Sequence, residues 1–234
     1  MTKRKSSIEA LISRSEQDLG TIEQTYGSSL AAREIPPDLK IDIKNLCGNL
    51  RSALDYLARD MRETFCPKPK THERFYFPIL PDQAQFESEM TKWFPGLSLN
   101  RPALWSYLES IQPYHPAYEW IGRFNRLNNE NKHGDLIQQT RTETHEVRVS
   151  IEDGSQVTWN RDVVTFGHGV EIAGVPLDPK TQLPVPHPSQ KVEVIVWVDF
   201  QFSGIEGSAL QLLKQSFVGI RKVVDAVYRL FRDE

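Results

Sequence analysis

The sequence predicts an α+β fold: a mostly helical bundle with an inserted antiparallel β-sheet and a C-terminal helix that returns to the bundle. Two observations carry this. Apolar residues recur every three or four positions over most of the first 133 residues and again from Ser208 to Phe231. Between those regions the period drops to two, the alternation of a half-buried strand.

The first helix is expected from Ile8 to about Tyr26, on the stripe Ile8, Leu11, Ile12, Leu19 and Ile22. Ser6 or Ser7 serves as its cap and Gly27-Ser-Ser as its end. After Pro36-Pro37, Asp38 opens the clearest helix, with Leu39, Ile43, Leu46, Leu50, Leu54, Leu57 and Met61 on one stripe that needs partner helices. Cys66-Pro-Lys-Pro-Lys breaks it. Phe75-Tyr-Phe-Pro-Ile-Leu-Pro81 then reads as an extended aromatic segment anchored on a core edge, because its prolines exclude a helix and a central strand. Short helices follow over Asp82 to Trp93 and Arg101 to Ile111, with Phe94-Pro-Gly-Leu as the turn between them. Another helix starts near Ala117 and is stopped by Gly134 as a left-handed cap.

Strands are expected over Glu143 to Ile151 and Gln156 to Asn160, joined at Asp153-Gly154, with one or two short extended pieces over Asp162 to Ile172. A proline-rich excursion over Pro176 to Pro188 precedes the strongest strand, Lys191 to Phe202. The expected organisation is one composite domain over residues 1–234, with a helical part at 6–140, a β insertion at 143–202 and a closing helix at 208–232. Trp105, Trp120 and Trp197 are expected in the core.

The net charge is −3 and the pI near 6.1, so any nucleic-acid site has to be a local basic patch. Cys47 and Cys66 are nineteen apart with no CxxC pair, which suggests neither a disulfide framework nor zinc and fits a reducing cytoplasm. No two histidines have metal-ligand spacing, and no P-loop, GxSxG or GxGxxG motif occurs, so no cofactor is expected. There is neither a signal-peptide pattern nor an apolar run long enough for a membrane span.

The focal stretch is Trp120 to Gly134. At helical spacing Ile121, Phe124, Leu127 and Asn128 face the core, while Arg126, Asn129, Glu130 and His133 share another side. Arg126 and His133 are seven apart, a rise of roughly 10 Å with return to nearly the same face.

In chain order, Asn49-Leu-Arg-Ser-Ala-Leu-Asp55, Phe77-Pro-Ile79, Ile111-Gln-Pro-Tyr114 and Leu127-Asn-Asn-Glu-Asn-Lys-His133 resemble a widespread bacterial and phage family of uncharacterised proteins. More distantly, Arg126 and His133, enclosing six residues, resemble the Arg-x(4–6)-His motif of the HEPN superfamily. That resemblance implies a helical bundle, a homodimer, RNA as partner and, in many branches, metal-independent RNA cleavage in a toxin or phage-defence setting. It implies Arg126 and His133 as catalytic residues.

The chemistry is coherent with those types. Histidine moves protons near neutrality, and the arginine fork stabilises a pentacoordinate phosphate. Lys132 would then hold a phosphate, and Asn128 or Asn129 the sugar or the imidazole. Structural roles stand beside these. Lys132 and His133 suit a helix C-terminus in any case. Asn128 suits a buried amide bonded to Asn45 or Asn49, and Arg51 with Asp55 an i,i+4 pair worth about 0.2–0.5 kcal/mol at a surface. Two readings stay open: an RNA-directed protein acting as a metal-independent ribonuclease, and a non-catalytic interaction or nucleotide-binding protein.

Overall fold

The computed structural model describes residues 3–32, 36–67, 74–133, 139–202, 205 and 207–232, and within them excludes the side chains of 30–32, 131–133, 139–142 and 195–201. The fold is α+β and mostly helical, as the two periodicities predict. The chain divides into two compact units, Met1–Thr140 with Gln201–Glu234, and Arg141–Phe200.

The first unit contains α1 (Lys5–Ala32), α2 (Pro37–Phe65), α3 (Gln83–Trp93), α4 (Leu97–Asn100), α5 (Pro102–Ser110), a 3₁₀ turn (Pro116–Tyr118), α6 (Glu119–His133) and α7 (Ala209–Leu230). All seven residues of the expected stripe on α2 are buried. α1 packs along α2, and α7 returns to pack on α1, α2, α5 and α6. A polar tie joins the layers at the buried Asp60 of α2. Its carboxylate accepts the Tyr228 hydroxyl at 3.0 Å and Arg4 Nη1 at 3.0 Å.

Several boundaries differ from expectation for physical reasons. α1 begins at Lys5, which places Ser6 and Ser7 inside the helix and not at its cap. It also runs through Gly27 to Ala32. An interior glycine costs only about 1 kcal/mol, and the helix around it buries Ile22, Tyr26 and Ser29. Ser29 Oγ also donates to the Thr25 carbonyl at 2.7 Å. α2 opens on Pro37, one residue early, with proline in the first turn. After Phe94 the chain makes one further helical turn, α4, entered through Gly96 at φ 78°, a left-handed backbone that favours glycine. Trp105 is only partly buried, Trp120 is in the core, and the side chain of Trp197 lies outside the described residues.

The second unit contains β1 (Gln139–Ile151), β2 (Gln156–Asn160), β3 (Glu171–Ile172), β4 (Val175–Asp178), β5 (Leu183–Pro184) and β6 (Gln190–Phe202). β1 lies between β2 and β6, and its antiparallel register with β2 pairs Val147 with Trp159 and Val149 with Val157. Gly154, at φ 85°, sits in the connecting turn. The proline-rich excursion, expected to be irregular, contains most of a small β3-β4-β5 sheet, with Pro176 and Pro184 in its strands. Val147, Val149, Trp159 and Leu177 form the core of this unit.

Candidate functional site

The position of α6 is fixed by two close approaches. A Cβ on Gly219 of α7 would lie 2.3 Å from the Trp120 ring, so α7 comes against that ring only where no side chain intervenes. A Cβ on Gly122 would lie 2.9 Å from Pro113 Cβ, which sets the entry of the chain into α6. Ile121, Phe124, Leu127 and Asn128 are buried, as the spacing predicts. Asn125, Arg126, Asn129 and Glu130 occupy the remaining faces, half-buried or exposed.

Beside α6 runs the extended segment before α3, and its backbone is held by side chains from α2 and from the turn after α5. Asp55 Oδ1 accepts the Phe77 N–H at 3.0 Å, and Arg51 Nη2 donates to the Phe77 carbonyl at 3.2 Å. Arg51 and Asp55 are themselves an ion pair, with Nη2 3.0 Å from Oδ1. The buried Gln112 repeats the device. Its Oε1 accepts the Leu80 N–H at 2.9 Å, and its Nε2 donates to the carbonyls of Pro78 and Leu108 at 3.2 and 2.7 Å. A segment barred from a sheet ladder by its prolines thus has its backbone polar groups satisfied by side chains.

The result is a cleft of about 380 Å³. Arg51 and Asp55 line it, with Tyr76 and Trp93 and the amides of Asn125 and Asn129. Tyr76 is 50 % exposed. The two aromatic rings meet edge to face with centroids 6.5 Å apart. The Arg51 guanidinium carbon is 5.9 Å from the Tyr76 ring centroid. Arg51 Nη1 also donates to Asn125 Oδ1 at 3.1 Å, which orients that amide with its Nδ2 as the remaining donor group. Arg51 is only 7 % exposed and Asp55 half-buried, so of the two structural roles open to this pair, a solvated pair and a structural bridge, it takes the bridge. Such a cleft, with aromatic faces and amide edges, fits a planar heteroaromatic ring.

The predicted site residues fall into different places. Asn129 lines this cleft together with Arg51 and Asp55. Arg126, one residue before Leu127 in the core, is on the outside of α6, where its Nε donates to Glu130 Oε1 at 2.8 Å. The helix is unbroken from Arg126 to His133, but the side chains of Lys132 and His133, and all of Gly134, lie outside the described residues. Asn128 is 2 % exposed and turned away from the cleft, into a second pocket formed with α1 and α2. Of its expected partners, Asn49 donates its Nδ2 to Asp18 Oδ2 at 3.2 Å, and Asn128 Nδ2 has no partner among the described residues.

Sequence reasoning missed Asn125, Tyr76 and Trp93. Asn125 precedes Asn129 by one helical turn, a signal that was present, whereas the two aromatics enter only through tertiary folding. Among the described residues no three His, Cys, Asp or Glu side chains are placed to hold a metal ion. Both cysteines are free. Burial pushes the Cys47 thiol up to about 12 and the Cys66 thiol up to about 11. No helix among the described residues is long and apolar enough to cross a membrane. Compared with protein-family models, with curated proteins and with solved structures, the chain matches none.

Proposed function

We propose that this chain is an RNA-directed protein of the HEPN kind, which holds an unstacked base in the Tyr76–Trp93–Asn129 cleft and cleaves RNA without a metal through Arg126 and His133. The observation that carries the reading is the cleft itself: exposed aromatic faces edged by Asn125 and Asn129, on the helix that also bears Arg126 and ends at His133. Sequence-specific contacts to RNA are made mostly to splayed bases stacked on aromatic rings and hydrogen-bonded along their edges.

In the reaction the 2′-oxygen attacks the adjacent phosphorus and loses its proton to a base. The 5′-oxygen departs with a proton, leaving a 2′,3′-cyclic phosphate. His133 has the side-chain chemistry for the proton transfers. Arg126 has the fork that matches the equatorial phosphate oxygens, and Lys132 adds a second cation. A homodimer and a toxin or phage-defence setting belong to the same reading, supported by the motif resemblance. The mass in solution by light scattering tests the dimer.

The test of the activity is cleavage of a mixed RNA pool in EDTA by the wild type, Arg126→Ala and His133→Ala, each shown to be folded. Cleavage by the wild type alone is expected. The second reading, a nucleotide-binding protein without catalysis, is favoured by the ion pair of Arg126 with Glu130, which occupies the guanidinium Nε. It predicts RNA binding by all three proteins and cleavage by none.

A further inference from the structure

Beside the cleft, and sharing no lining residue with it, a pocket of about 340 Å³ lies between α1, α2 and α6. Three of its features bear on what it can hold. The first is Asn128, 2 % exposed, whose Nδ2 has no hydrogen-bond partner among the described residues. Buried amide donors are nearly always satisfied, and one that is not points to an acceptor that comes from outside. The second is Gly48, which also lines the pocket in the middle of α2. A glycine there weakens the helix relative to alanine, yet a Cβ added to it would meet nothing within 4 Å. The space beside it is therefore open.

The third feature is the charge. Arg14 Nε is paired with Asp18 Oδ1 at 2.9 Å, and the other oxygen of Asp18 accepts Asn49 Nδ2 at 3.2 Å, so this acidic group is neutralised and bonded on both oxygens. Lys44, exposed at the mouth, makes no ion pair among the described residues. With Arg14 and Asp18 cancelling, the described lining carries one positive charge without an ion-pair partner among the described residues, beside a buried amide donor.

We propose that this pocket binds the oxyanion head, carboxylate or phosphate, of a small molecule, with Asn128 Nδ2 as the buried donor and Lys44 as the counter-charge. The volume suits a small metabolite more than a bare ion. The site is independent of the RNA reading, because it uses none of the cleft residues.

The experiment is a ¹H–¹⁵N titration of the full chain with sodium phosphate and, separately, sodium acetate, against sodium chloride at matched ionic strength. The expected result is a saturable displacement of the Asn128 side-chain amide signals by at least one oxyanion and not by chloride. The oxyanion that acts identifies the head group. Gly48→Met puts a side chain into the open space beside Gly48, and is expected to weaken binding about tenfold or more. Lys44→Met, an exposed change, is expected to do the same and keeps the test valid if the first variant does not fold. Signals that do not move, that move equally in chloride, or that respond unchanged in both variants would overturn the proposal.

Discussion

Asp55 accepts the backbone N–H of Phe77 through the same Oδ1 that Arg51 approaches at 3.0 Å, so one ion pair on α2 fixes the peptide of a segment twenty-two residues away. The pair is half of a clamp whose other half, Arg51, takes the Phe77 carbonyl. Removal of either partner strands the other. Asp55→Ala leaves a nearly buried guanidinium without its carboxylate and an unsatisfied N–H. Because Asp55 is 24 % exposed at its side chain, the loss falls below that of a fully buried pair, at about 2–3 kcal/mol. Urea denaturation measures it, and a change under about 0.5 kcal/mol, the value of a surface pair, would show that the clamp is not structural.

Gly219→Ala separates two effects by sign. Helix propensity alone predicts a gain of up to about 1 kcal/mol. The Trp120 ring, 2.3 Å from the new Cβ, predicts a net loss of about 1–3 kcal/mol by overpacking. The thermal midpoint should therefore fall, and Trp120→Leu in the same chain should recover part of the loss. A raised midpoint in Gly219→Ala is incompatible with this contact.

Thiol labelling reports the packing of α2. With its thiol raised to about 11, Cys66 should react with a thiolate-seeking reagent at pH 8 about a hundredfold more slowly than free cysteine. Cys47, raised to about 12 and buried within α2's apolar face, should react only on unfolding. Rapid modification of two thiols in the native protein would contradict this arrangement.

Arg126→Ala is expected to leave stability within about 0.5 kcal/mol of the wild type, since its pair with Glu130 is 57 % and 39 % exposed at the side chains. Denaturant midpoints check this. A larger loss would assign Arg126 a structural role and remove the basis for reading any functional defect as chemical.

Much of the architecture was legible because it rests on periodicity. The α2 stripe, the core face of α6, the Asp153-Gly154 turn and the return of α7 each follow from residues a few positions apart. The continuation of α1 past Gly27 was not, since one glycine weighs less than the burial of Tyr26 and Ser29 around it. The small sheet at β3, β4 and β5 was hidden by strands of two to four residues containing prolines. The site was legible only in part. Arg51 and Asp55 showed their i,i+4 spacing, but that spacing says nothing of the segment that covers them and turns a surface pair into a buried clamp. The cleft gathers Asp55, Tyr76, Trp93 and Asn129 from four separate segments, a convergence that no local pattern encodes.

A cleft that receives an RNA base is tested by the affinity of a labelled single-stranded RNA for the wild type, Tyr76→Ala and Asn129→Ala, measured by fluorescence anisotropy. Loss of one base–aromatic stack is expected to cost about 1–3 kcal/mol, an increase in Kd of roughly 5- to 150-fold for Tyr76→Ala. Asn129→Ala should weaken binding as well, with the fold of each variant unchanged by circular dichroism. RNA bound with equal affinity by all three proteins, or by none, would contradict the account.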